Sequence, residues 1–87
     1  MCFEIAKEMR SVIEAQERDA AKALDAVPGL GSGPNGLTPD SVKFSEPYRT
    51  AKAEYEARRA MLRRFNQWFT RTYRAELRAE RATRFAS

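Results

Sequence analysis

Apolar residues recur along the first third of the chain at Ile5, Met9, Val12, Ile13, Ala20, Leu24 and Val27. Steps of three and four place them on one stripe of a helix, with Glu4, Glu8, Glu14, Glu17 and Asp19 facing elsewhere or flanking it. The pattern predicts a helix over residues 3–27, stopped by Pro28-Gly29. Residues 28–37, PGLGSGPNGL, hold all four glycines of the chain and predict a loop. Inside it, GSGPNG has the spacing of a dinucleotide-binding glycine fingerprint. That fingerprint needs a strand before it and a helix opening at once after it; here a helix precedes and a proline interrupts, so a plain flexible connector fits better. Thr38-Pro39-Asp40 reads as a helix start, with Thr38 as N-cap, proline at the first helical position and an acid in the first turn. A short helix over 39–44 follows. Ser45 is a second N-cap candidate, and Pro47 disfavours helical geometry at Glu46, so a bend separates the short helix from the next one.

From Tyr48 to the end there is no glycine or proline. This predicts one long helix over 46–85, about 60 Å at ~1.5 Å per residue. Tyr48, Ala51, Tyr55, Leu62, Phe65, Phe69 and Tyr73 form its apolar stripe, with Met61 and Trp68 on the shoulder. The stripe is widest at 61–69 and fades after Tyr73, where its line continues as Glu76 and Glu80. The fold class that results is all-α: an antiparallel helical hairpin with one very long C-terminal helix and a short helix in the connector, a single domain over 1–87. Equal rise along both helices aligns Val27 with Tyr48 and Ile5 with Trp68 to Thr70, which leaves about fifteen C-terminal residues without a partner in their own chain. Residues 61–69 also carry more apolar surface than one thin, alanine-rich helix covers. Met61, Leu62, Phe65, Trp68, Phe69 and Tyr73 are therefore the predicted oligomer interface, closing two hairpins into a dimeric bundle of four helices. The same aromatics could instead be a stacking platform for bases or a hot spot for another protein. They follow helical core spacing and are not interleaved with bases, which favours the core and homo-oligomer reading.

Charge changes this picture in one respect. Net charge is +4, but residues 1–27 carry −2 and residues 46–87 carry +6, with ten of the eleven bases in the latter being arginine. Opposite signs favour packing of the first helix on the last, or attraction of an anionic partner. Arg64, Arg71, Arg74, Arg78 and Arg81 recur at seven, three, four and three, with Arg63 beside them, on the face opposite the apolar stripe. Two readings stand: a solvated outer face, or a ridge that tracks phosphates of nucleic acid or the carboxylates of an acidic protein. Arginine over lysine suits bidentate contact to either group, although arginine and alanine richness also follow from a GC-rich genome.

Catalytic chemistry is poorly supplied. There is no histidine, the carboxylates are spread over helix faces, and the serines and threonines occupy cap and loop positions. Nothing matches a metal, cofactor or small-molecule site, and the chain reads as a non-enzyme. Cys2 is the sole cysteine, which rules out an internal disulfide and fits a cytoplasmic setting. No apolar run approaches the ~18–20 residues that a membrane span requires. The expected function is a small helical assembly protein that self-associates. The alternatives are nucleic-acid binding through the arginine row, or an adaptor that docks its basic C-terminal helix on an acidic protein.

Overall fold

The computed structural model describes residues Met1–Ala86. Every regular element among them is helical, and no strand occurs. Helix α1 spans Phe3–Asp25, α2 Asp40–Lys43, α3 Glu46–Thr72 and α4 Arg74–Ala86. A single 3₁₀ turn at Pro34–Gly36 lies in the connector. Alanine, glutamate, lysine and arginine, all good helix formers, dominate α1 and α3.

α1 ends where Ala26 and Val27 donate their N–H groups to Lys22 and Leu24. The chain then reverses through Gly29 at φ +83°. A Cβ built at Gly29 would lie 2.7 Å from a methyl of Val42, so both backbone conformation and space demand glycine there. The connector is knit by its own bonds: Gly33 N–H to the Leu37 carbonyl at 2.8 Å, and Gly31 N–H to the Thr38 hydroxyl at 3.1 Å. Thr38 is thereby used in the loop, and the residue capping α2 is Pro39. Ser45 stands at the N-cap of α3, but its hydroxyl donates back to the Val42 carbonyl at 2.6 Å. Glu46 is already helical, with Pro47 in the first turn, a position that lacks an intrahelical N–H partner in any case.

α1 and α3 form the main contact. Phe3 stacks on Phe69 with ring centroids 5.8 Å apart, and Arg58 reaches Gln16, so the two helices run in opposite directions. Ala6, fully buried, sits against Phe69, which is 1% exposed, and Tyr73. Phe3, Phe65 and Leu77 pack around them. Ala20 and Val27 are buried towards the other end of α1. Of the stripe expected on α1, Ala20 and Val27 are buried, but towards the amino end it is rotated: Ile5, Met9 and Val12 are exposed, and Ala6 faces inward. The bulk in this core comes from the aromatics of α3, and only a small side chain opposite lets the two backbones approach.

The single helix expected over 46–85 is in two pieces. Tyr73 has φ −112° and ψ 32° and separates α3 from α4. No proline or glycine causes the break. The Tyr73 ring is buried among Phe3, Phe69 and Trp68, and its hydroxyl donates to the Met1 carbonyl at 2.7 Å. Turning at this point brings α4 back over the amino end of α1, where Leu77 joins the core and Glu80 pairs with Lys7. A straight helix would carry both past the end of α1. The C-terminal segment thus has a partner in its own chain, contrary to the expectation of an unpaired end.

The molecule measures 51 × 27 × 16 Å with a radius of gyration of 18.0 Å. A compact chain of this length would have about 12 Å. It is a layer one helix thick, with two broad faces.

Candidate functional site

Each face carries its own chemistry. Among the residues expected at an oligomer interface, Phe69 and Tyr73 are used up in the core just described, and Leu62 and Phe65 are half-buried. Met61 and Trp68 stay exposed, at 38% and 37%. The first helix adds Ile5, Met9 and Val12, with Ile5 and Val12 more than half exposed. At ~100° per residue these three fall within about 60° on one flank of α1, and Gln16 lies on the same flank. Met61 and Trp68 share one flank of α3, and Arg58 and Phe65 lean to that side. Arg58 donates to the Gln16 side-chain carbonyl at 3.3 Å, so the two flanks open on the same side of the layer. Ile5, Met9, Val12, Met61 and Trp68 together make one apolar face.

The other face is basic. All five arginines of the expected row are exposed, but the break at Tyr73 divides them, Arg64 and Arg71 on α3 and Arg74, Arg78 and Arg81 on α4. A different set lines a shallow open groove: Arg59, Arg63, Arg71 and Arg74, with Asn66, Gln67, Thr70 and Leu62 between them. Arg63 is the residue read beside the row, and Arg59 is the member that the row did not include. The signal for Arg59 is an acid-free run: from Ala57 to Ala75 there are six arginines and no aspartate or glutamate. Around α3, Arg59 and Arg63 lie about 180° and 140° from Trp68 and Arg71 about 60°, so the centre of the groove faces away from the apolar face and Arg71 stands at the border between them.

Among the described residues the ion pairs are Lys7–Glu80, Arg10–Glu14 at 3.3 Å and Arg58–Glu54 at 2.7 Å. None takes an arginine of the groove. Arg10 also stacks its guanidinium 4.8 Å from the Phe69 ring centre, closing the core edge. The Glu80 carboxylate, by accepting a hydrogen bond from Lys7, holds the lysine ammonium above its ordinary value of 10.5; partial desolvation opposes this, and the charges of Glu80 and Glu4 reinforce it.

The glycine-rich connector makes no phosphate cradle. The amides of Gly31, Gly33 and Gly36 bond to Thr38, Leu37 and Gly33 within the loop. Among the described residues no group of three or more His, Cys, Asp or Glu is placed to hold a metal ion, and no helix is long and apolar enough to cross a membrane. No protein-family model, curated protein or solved structure matches this chain. The reading of its function therefore rests on the two faces alone.

Proposed function

We propose that the protein is a non-enzymatic helical assembly module that pairs with a second copy of itself through Ile5, Met9, Val12, Met61 and Trp68. The carrying observation is that two separate helices direct their exposed large apolar side chains to one side of a layer 16 Å thick. Scattered apolar residues on a surface are ordinary, whereas five gathered on one face mark an interaction site. The chain's own buried core is short of bulk: three of its five members are Ala6, Ala20 and Val27. Small helical chains with thin cores gain stability by association. A copy laid face to face would close the two antiparallel pairs into a four-helix bundle, with the half-buried Phe65 completing its centre. Phe69 and Tyr73 take no part in this version of the interface.

Sedimentation equilibrium tests the reading. The wild type should weigh twice the chain mass at tens of micromolar. Val12→Glu combined with Met61→Glu places a carboxylate on each helix where the side chain is already exposed in the single chain and forms no part of the aromatic core. This variant should keep its helical circular dichroism and sediment as a monomer. A wild-type monomer at that concentration, or a double variant of unchanged mass, would refute the proposal.

A further inference from the structure

We propose that the groove between Arg59 and Arg74 holds the phosphate backbone of a nucleic-acid duplex, independently of whether the protein self-associates. Its lining is a near-complete set of phosphate-contacting side chains. Arg59, Arg63, Arg71 and Arg74 supply charge, and Asn66, Gln67 and Thr70 supply neutral donors between them. They recur every third or fourth residue along α3 and the start of α4, over about 22 Å at ~1.5 Å per residue. No acidic residue lines the groove, and none of its four arginines is in an ion pair among the described residues. The Arg10–Glu14 pair lies within α1, and among the described residues no ion pair links α1 to this row.

Two alternatives fit less well. A docked acidic protein would need apolar or aromatic anchors at the centre of its interface, because charge alone seldom gives a stable protein complex. The only apolar residue of the groove is Leu62, and it is already half-buried. A single strand would be gripped by stacking its bases on aromatic rings. Here Phe65, Trp68, Phe69 and Tyr73 are all directed to the core or to the opposite face. A duplex backbone asks for cations and donors at regular spacing and for nothing else.

The test is fluorescence anisotropy of a short labelled mixed-sequence DNA duplex, titrated with the full chain over a range of salt. Four arginine–phosphate contacts predict a slope of log affinity on log salt of about −3.6, and so a loss of about a hundredfold between 50 and 200 mM salt. Replacing Arg59, Arg63, Arg71 and Arg74 together by alanine should abolish that slope and weaken low-salt binding by about tenfold or more. A charge-matched control, alanine at the exposed Arg18, Lys22, Lys43 and Arg49, should keep the slope. Alanine is a strong helix former, so both variants should retain their helical spectrum. If the quadruple variant unfolds, the single replacements carry the test, each lowering the slope by about 0.9. The proposal is overturned by absence of duplex binding at low salt, or by equal losses in the groove and control variants. Tighter binding of the unpaired strand, or capture of poly-glutamate in place of the duplex, overturns it as well.

Discussion

Ala6 and Gly29 hold positions where a methyl group more or less decides the structure. Ala6, on α1, is fully buried against Phe69 of α3. Enlarging it to leucine should overpack this contact and cost about 1–3 kcal/mol, which in a domain of this size lowers the melting temperature by about 4–8 °C per kcal/mol. Gly29→Ala meets both the left-handed backbone and the Val42 methyl, and should cost at least ~1–2 kcal/mol by the same measurement. Tyr73→Phe is subtler. It keeps the ring among Phe3, Phe69 and Trp68 and removes only the hydrogen bond to the Met1 carbonyl, at about 0.5–1.5 kcal/mol. A loss much larger than this in thermal or urea melts would show that the hydroxyl, more than the ring, sets the break between α3 and α4.

The α4 helix is where pairing and pH meet. Lys7 has its pKa raised in the folded chain by Glu80. A raised lysine pKa contributes stability that is fully present below the unfolded value of 10.5 and is lost as pH rises through the higher folded value. Glu80→Gln should therefore melt earlier than wild type from neutral pH up to about 10, and the difference should vanish in stronger alkali. Amide exchange of α4 should quicken in the variant over the same range. This element also shows what could be read before the fold was in view. The 3.6-residue period, the Pro28-Gly29 stop and the proline at the start of α3 are local, and all are legible in the sequence. The break at Tyr73 has no local cause. It follows from burying Tyr73 and Leu77 on α1, a contact between residues more than seventy positions apart in the chain. Periodicity likewise finds the apolar stripe of α1 without saying which edge turns inward. The small side chain of Ala6, set by the bulk of Phe69 opposite, makes that choice and leaves Ile5, Met9 and Val12 outside. The arginine row is divided for a related reason: a single helical phase does not run straight through Tyr73, where α3 ends and α4 begins.

For the molecule as a whole, the thin layer makes stability a matter of concentration. If a second copy covers the apolar face, the melting temperature should climb as protein concentration rises, and Val12→Glu should flatten that dependence. The basic groove obeys a different variable, ionic strength, so melting at fixed protein concentration should respond to an added duplex at low salt and cease to respond at high salt. Because the two faces point away from each other, covering one leaves the other open. A back-to-back pair would then present two cationic grooves aimed outward, each free to take its own duplex. Such a particle is a crosslinker. Light scattering from mixtures with a long duplex should peak at an intermediate ratio of protein to DNA and fall again when either is in excess, since every bridge then competes with single-ended occupancy.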